Sequence, residues 1–403
     1  MQTAAALHSC DFRVTGTIGL AHGVSHFLQL AIPPLFPLLR ADFNVSWTEL
    51  GFTMTLFYIA SSTTQFLSGV VVDRIGARPV LITGLFLLAG GTLACALAPN
   101  LIVLCALAVL MGVGNGVFHP SDFAVMNANI KEHHLGYAYA IHGVGGAIGW
   151  ALAPMTSIAL SAHFGWRTAL LVMGIIGLLV LALVISQQSL LHSEKAHAPE
   201  GKSFADTADA AKSTASWWQW ATVTCFFFFV FQTLASNGIS SFTPSILHES
   251  FSLTLTFAAT AVTAYLAASA VGTLTGGVVA ARTSHHARVA ASGLIVAALM
   301  AASVFFVTTS SLLLLTCFVL MGFSIGITGP SRDMIVRSVT PKGSAGRVYG
   351  FVYSGMDVGS TLTPPLYGAL LDHHLGQGAY GLIAAMLVLT VFTVIRVRRP
   401  ASA

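Results

Sequence analysis

Two histidines near the start of the chain are spaced for joint chemistry. His22 and His26 lie four residues apart in an apolar segment, and Gln29 follows three residues later. A helix places all three on roughly one face. Imidazole titrates near neutral pH, so this face could exchange protons or bind a polar or anionic molecule. The alternative role is packing against a neighbouring helix.

A single carboxylate also stands inside an apolar segment. Asp357 lies ten residues after Arg347, which is about 15 Å along a helix and reaches the middle of a hydrocarbon layer about 30 Å thick. Ionisable groups at that depth are unfavourable and are usually functional. Asp357 is therefore predicted to carry a proton, and a hydrogen bond to a neighbouring Ser or Tyr is the alternative.

The elements that position these residues follow from composition. The 403 residues are 55% hydrophobic and only 8% charged, whereas soluble proteins carry about 25% charged residues. Apolar stretches of about 20 residues, the length of a membrane-spanning helix, recur along the chain. We predict an all-α membrane protein with spans at 14–39, 49–72, 79–98, 101–128, 137–160, 167–188, 217–244, 254–281, 289–308, 312–337, 347–372 and 377–396.

Charge placement predicts the topology of the chain. With an even number of spans both termini share one side, and most Lys and Arg residues fall on that side, which marks it as cytoplasmic. The polar stretch 189–216 reads as a cytoplasmic linker between an N-terminal half, 1–188, and a C-terminal half, 217–403. Basic residues are scattered singly, so no nucleic-acid partner is predicted.

The two halves are related by a constant shift of 210 residues. The shift maps Pro120, Ser121, Gly145 and Gly149 onto the same residue types in the second half, which predicts two parallel six-helix repeats. It also maps His22 onto Gln232 and brings Asn237 within one position of the counterpart of His26. The first helix of each half is therefore predicted to turn polar groups towards a substrate cavity, which we expect near the middle of the membrane and between the halves.

The same shift pairs residues of opposite charge. Asp122 maps onto Arg332, and an ion pair between them across a closed inner gate is one hypothesis. The other is a local pair between Asp333 and Arg337, which stand four residues apart on one helix.

The loop after the second span carries a recognisable motif. Gly69 is followed by Asp73, Arg74, Gly76 and Arg78 in the sequence GVVVDRIGAR, which resembles the major facilitator signature G-x-x-x-D-R-x-G-R-R/K and departs from it only at Ala77. The resemblance implies a twelve-helix secondary transporter, with the motif as a latch in which Asp73 faces a helix N-terminus. The alternative is a hydrophilic loop that only fixes topology.

A second motif narrows the resemblance. The run Phe118-His119-Pro120-Ser121-Asp122 is followed by Tyr139 and by His142, and together with His26 it resembles the fosmidomycin-resistance group of exporters. His119 and His142 are therefore candidate cavity residues. The resemblance implies proton-coupled efflux of a small polar or anionic molecule by a monomer in a bacterial cytoplasmic (inner) membrane, driven by the proton gradient and without a cofactor. Uptake of a carboxylate or another metabolite is the main alternative.

Other classes of protein find little support in the sequence. There is no Ser-His-Asp or HExxH arrangement, no phosphate-binding loop and no metal-ligand spacing. We therefore expect neither an enzyme nor a metal site. An intramembrane enzyme and a receptor that does not transport remain remote alternatives.

Overall fold

The computed structural model describes residues 2–191, 220–306, 310–340 and 345–396. Within these ranges every regular element is helical. The side chain of Asp73 and most of the predicted linker 189–216 lie outside the described part. The predicted boundaries of the halves at 188 and 217 therefore stay predictions.

Fourteen α-helices account for most of the described residues. They are α1 Gln2–Gln29, α2 Phe36–Phe43, α3 Trp47–Ile75, α4 Ala77–Cys95, α5 Leu101–Gly116, α6 Phe118–Asn129, α7 Glu132–Ser186, α8 Trp220–Asn237, α9 Thr243–Phe251, α10 Leu255–Arg282, α11 His286–Phe306, α12 Ser311–Val339, α13 Ala345–Asp372 and α14 Gly378–Arg396.

The helices confirm the predicted all-α membrane protein with twelve spans. In the described ranges, nine helical segments are long and apolar enough to cross a membrane. One of them, Ala138–Ser186, has 49 residues and bends at Gly165 (φ 80°, ψ 161°), so it supplies two crossings. The more polar α1 and α13, each 28 residues long, complete the twelve.

Proline divides three of the predicted spans. The first was predicted as 14–39, but α1 ends at Gln29, and a short 3₁₀ segment, Pro33–Leu35, precedes α2. The span predicted as 101–128 breaks between α5 and α6, since Pro120 has no N–H to donate to the carbonyl of Gly116. The span predicted as 217–244 passes through a π-helical segment, Gly238–Phe242, just before Pro244. In each of these spans the helix is interrupted near a proline, whereas the apolar pattern had predicted a continuous helix.

Contacts between residues divide the chain into two compact units. The first unit comprises 1–196 and 253–263, and the second comprises 197–252 and 264–403. Each unit packs its first helix against glycines of a later one, α1 against α7 in the first unit and α8 against α13 in the second.

Glycines bring α1 and α7 into backbone contact in the first unit. A Cβ built on Gly23 would lie 2.9 Å from the carbonyl oxygen of Gly145. A Cβ on Gly145 would collide with the carbonyl of Gly19, and one on Gly149 would collide with the carbonyl of Gly23. Each helix thus contributes a G-x-x-x-G pair, the spacing that lets membrane helices approach closely. The four glycines fix the face of α1 that looks at α7.

The second unit repeats this packing at the positions predicted by the shift of 210. A Cβ on Gly355 would lie 2.5 Å from the carbonyl oxygen of Phe226, and one on Gly359 would lie 2.8 Å from that of Val230. These glycines correspond to Gly145 and Gly149. The repeat therefore preserves the helix contact and varies the side chains around it.

We expect Gly149→Ala to destabilise the protein, because its added methyl group collides with the backbone of Gly23. Overpacking of this kind costs about 1–3 kcal/mol. The matched control is Gly143→Ala on the same helix, where a Cβ meets no atom within 4 Å among the described residues. Thermal unfolding of the two purified variants should give a lower midpoint for Gly149→Ala, and equal midpoints would contradict the close packing.

Candidate functional site

Four histidines and an aspartate meet inside the first unit. His22 and His26 come from α1, His119 and Asp122 from α6, and His142 from α7. The structure therefore brings together the four histidines predicted for the cavity. It adds Asp122 to them, which was predicted elsewhere.

Asp122 lies at the centre of this cluster. Its side chain is fully buried. Its Oδ2 accepts a hydrogen bond from Nε2 of His142 at 2.9 Å and lies 3.3 Å from Nδ1 of His22. That second contact falls outside hydrogen-bond geometry, and among the described residues neither Nδ1 of His22 nor Oδ1 of Asp122 has a hydrogen-bond partner. A carboxylate can accept several hydrogen bonds, so a buried carboxylate with a single donor uses only part of its hydrogen-bonding capacity.

The histidine rings pack tightly around the carboxylate. The rings of His22 and His142 stack with centroids 3.6 Å apart and planes 20° apart, and His119 is tilted against His22 at 5.1 Å. Gly146 of α7 makes this possible. A Cβ there would lie 2.7 Å from Cδ2 of His26 and 3.0 Å from Nε2 of His22. The small residue thus leaves room for two imidazoles between the helices.

A chain of polar contacts leads from the cluster to Trp150. Nε2 of His22 lies 3.1 Å from Nε2 of His26, and Nδ1 of His26 lies 2.8 Å from Oε1 of Gln29. The same Oε1 accepts a hydrogen bond from Nε1 of Trp150 at 3.3 Å. The sequence analysis missed Trp150. Its one signal was its position four residues after Gly146, which places it on the same face of α7.

Three of the imidazoles are also close enough to be considered as metal ligands. Nitrogen atoms of His22, His119 and His142 lie within 4.8 Å of one another. The sequence showed no metal-ligand spacing because these residues come from three different helices. The rings of His22 and His142 are nearly parallel, so their in-plane lone pairs do not converge on one point. The arrangement therefore favours hydrogen bonding over metal coordination.

Asp122 and Arg332 were hypothesised to form a gate pair, and the structure gives each of them partners within its own unit. Asp122 faces His22 and His142. Nε of Arg332 donates to Oδ1 of Asp333 at 2.9 Å, and its guanidinium lies over the ring of Phe229 at 4.7 Å. Asp122 thus lies in the histidine cluster of the first unit, and its predicted pairing with Arg332 across a gate stays a prediction. The shift of 210 matched the two sequence positions correctly and carried no information about helix rotation.

The local alternative for the gate charges also changes. Asp333 was predicted to pair with Arg337, but its described partners are Arg332 and Tyr353, whose hydroxyl donates to Oδ1 of Asp333 at 3.0 Å. Arg337 is exposed. Asp333 therefore holds Arg332 beside α13.

The polar residues predicted for the second unit are placed separately. Gln232 is buried on α8, and its Oε1 has no hydrogen-bond partner among the described residues. Nδ2 of Asn237 donates to Oγ of Ser360 on α13 at 2.9 Å. Asp357 is half-buried on α13. Its predicted role as proton carrier stays a prediction.

The latch motif is described in part. Gly76 adopts φ 91°, a conformation that favours glycine, at the junction of α3 and α4. Arg78 donates to the carbonyl oxygen of Gln188 at 3.4 Å, and Arg74 is exposed. A Cβ built on Gly69 meets no described atom within 4 Å. The side chain of Asp73 lies outside the described residues, so the latch stays a prediction.

Twelve spanning helices and a buried polar cluster define a polytopic membrane transporter. The family model of the Major Facilitator Superfamily matches residues 18–244 and 225–403. The chain belongs to this superfamily, which confirms both the predicted fold and the expectation of a secondary transporter, a class of proteins that are not enzymes.

Known proteins resemble the chain to different extents. The fosmidomycin resistance protein of Escherichia coli is 27% identical over 67% of this chain and 65% of its own length. A multidrug resistance protein B homolog of Mycobacterium tuberculosis is 29% identical over 43% of this chain and 32% of its own length. The matches thus span from about a third to just under two thirds of these relatives. A solved bacterial homolog of the human lysosomal transporter Spinster superposes with TM-score 0.76 over 98% of this chain and 99% of its own, at 14% identity.

Two histidines of the cluster make contrasting contacts and give a matched pair of variants. His142→Ala leaves the buried carboxylate of Asp122 without its donor, and such a loss costs about 1–3 kcal/mol. His119 is exposed and makes only ring contacts among those described, so His119→Ala should stay within about 0.5 kcal/mol of the parent. Unfolding of both variants in detergent measures the difference, and a larger effect at His119 would contradict the assigned hydrogen bond.

Proposed function

We propose that this protein exports a small polar or anionic molecule in exchange for protons. It acts by alternating access as a monomer in a bacterial cytoplasmic membrane, with both termini in the cytoplasm. The proton gradient is its energy source, and it needs no cofactor. Uptake of a carboxylate or another metabolite is the alternative direction.

The observation that carries the proposal is the buried cluster of Asp122 with His22, His26 and His142. Burying ionisable groups in a membrane protein is unfavourable, so they persist where they handle ions, protons or substrate. The second unit repeats the glycine contacts between α8 and α13, and there the positions that match His22, His142 and Asp122 hold Gln232, Val352 and Arg332. The cluster is thus more than the fold requires. Imidazole takes up and releases a proton near neutral pH, and a neighbouring carboxylate can accept a hydrogen bond from the protonated ring.

Relatives support the direction of transport. One is named for resistance to fosmidomycin and another for multidrug resistance, and resistance is what an exporter would confer on a cell. Fosmidomycin is for this reason the first compound to test. Arg332 is a half-buried cation in the second unit, and Gln232 offers a buried amide oxygen that has no hydrogen-bond partner among the described residues. Both suit a substrate with oxygen acceptors and hydroxyl or amine donors.

Asp122→Asn tests the coupling role in proteoliposomes. The substitution keeps the shape of the side chain and removes the carboxylate, so accumulation of substrate driven by an imposed pH gradient should fall at least about tenfold. That factor corresponds to about 1.4 kcal/mol of lost coupling. Exchange of labelled for unlabelled substrate, which needs no gradient, should persist. A panel of small polar and anionic compounds, selected by thermal shift of the purified protein, supplies the substrate.

Asp42→Asn is the matched control, because Asp42 pairs with Arg167 at an exposed site away from the cluster. It should retain accumulation. Gradient-driven accumulation by Asp122→Asn at the level of the parent would remove Asp122 from coupling. The same assay applied to Asp357→Asn tests the predicted carrier in the second unit. The side of the membrane on which protons are taken up distinguishes export from uptake.

A further inference from the structure

We propose that the chain of contacts Asp122, His22, His26, Gln29 binds one exchangeable proton, shared between Nδ1 of His22 and Oδ2 of Asp122, and that Trp150 holds the far end of this chain. The inference deepens the proposed function, since it names the site at which the coupling proton would be bound. It follows from counting the protons that the contacts need.

The count starts at Trp150. An indole N–H can only donate, so the hydrogen bond from Trp150 identifies the Gln29 atom as the carbonyl oxygen Oε1. That oxygen can only accept. Nδ1 of His26, 2.8 Å away, therefore carries a proton and donates it to Gln29. The tautomer of His26 is thus set by a residue of α7.

The next contact transmits this constraint to His22. When His26 is neutral, its Nε2 has no proton and must accept. Nε2 of His22, 3.1 Å away, then donates to it. A neutral His22 with its proton on Nε2 has a bare Nδ1, and this nitrogen is the one that faces Oδ2 of Asp122 at 3.3 Å. Two lone pairs meet there unless a further proton is present.

Three contacts in the chain each need one proton, and two neutral imidazoles bring only two. The described geometry matches the two-proton arrangement. The contacts of His26 with Gln29 and with His22 have hydrogen-bond geometry, and the contact of His22 with Asp122 does not. One added proton completes the chain. It converts that contact into a hydrogen bond between an imidazolium and a carboxylate, which is stronger than a neutral one.

The surroundings of the His22 and Asp122 pair come from three helices. The titratable groups that face it are His26 on α1, His119 on α6 and His142 on α7. His142 already donates to Oδ2 of Asp122 from its Nε2, so it lies outside the count. His119 contacts the cluster through its ring. The shared proton accordingly belongs to the chain from α1 to Asp122.

Release of the proton has a consequence at Trp150. Without this proton, the carboxylate of Asp122 is stabilised most when Nδ1 of His22 donates a hydrogen bond to it. His22 must then accept from His26, and His26 gives up its donation to Gln29. The three contacts cannot all be kept while Trp150 holds Oε1 of Gln29 in place. Trp150 therefore destabilises the deprotonated chain and favours the protonated one.

Trp150→Phe tests this argument. Without the indole donor, the Gln29 amide can turn and offer its NH₂ group to His26, which relieves the deprotonated chain. We expect the midpoint of proton binding to move to lower pH by about one unit, the equivalent of one hydrogen bond. Trp166→Phe is the matched control, because Trp166 also lies on α7 and packs on Phe43 and Arg167 instead.

Proton binding is measured by potentiometric difference titration of the purified protein in detergent, between about pH 5 and 8, where imidazole sites titrate. Infrared spectra follow the carboxylate and imidazole bands in parallel. Compared with Asp122→Asn, the parent protein should bind one proton more per chain. The Trp150→Phe curve should be displaced to lower pH, and the Trp166→Phe curve should overlay that of the parent.

Several results would overturn the proposal. Equal proton counts for the parent and Asp122→Asn would remove the site. If Asp122→Asn binds one proton fewer but the Trp150→Phe curve is not shifted, the proton is bound by a carboxyl group alone and the chain of contacts to Trp150 plays no part. Zn²⁺ that binds stoichiometrically and requires His119 would assign the cluster to a metal. If Asp122→Asn fails to fold, the two Trp variants decide by themselves. The titration needs no pH gradient and is independent of transport. A protein that binds the proton as described but does not couple it to transport would contradict the proposed function and leave the proton site intact.

Discussion

The buried carboxylate of Asp122 is the constraint on which the first unit depends. Such a group must be stabilised by donors, since its transfer from water to an apolar interior is strongly unfavourable. The donors available are the imidazoles of α1 and α7, one in hydrogen-bond contact and one at 3.3 Å. Three helices are thereby obliged to meet at one point. The geometry of the cluster follows from this need to surround one charge.

Close backbone packing between α1 and α7 lets these helices meet at Asp122. The rings of His22 and His142 can stack at 3.6 Å because the glycines of α1 and α7 allow the backbones to touch. Gly146 then removes the one side chain that would occupy the space of His22 and His26. The same kind of glycine contact brings α8 and α13 together in the second unit. Combined with the histidines that face each other in the first unit, the contacts between α1 and α7 produce a site with more hydrogen-bond contacts than protons to fill them.

The sequence predicted the fold well and the site in part, for different physical reasons. Span number and the repeat depend on long apolar runs and a constant offset, which average over many residues. The pairing of His22 with His26 depends only on helical periodicity. By contrast, the sites of Asp122, His142 and Trp150 depend on how α6 and α7 are rotated about their axes, and an apolar helix in a membrane gives little periodic signal of its rotation. Asp122 was therefore matched with Arg332, and Trp150 was missed.

The two units share a packing scheme and differ in their chemistry. Where the first unit has His22, His142 and Asp122, the shift of 210 gives Gln232, Val352 and Arg332. The second set has no group that titrates near neutral pH, since an amide and an aliphatic side chain do not ionise and a guanidinium stays charged. Of these two matched sets, only the first can change its protonation state. A duplicated scaffold thus keeps its helix contacts in both copies, and in these positions it confines proton chemistry to one.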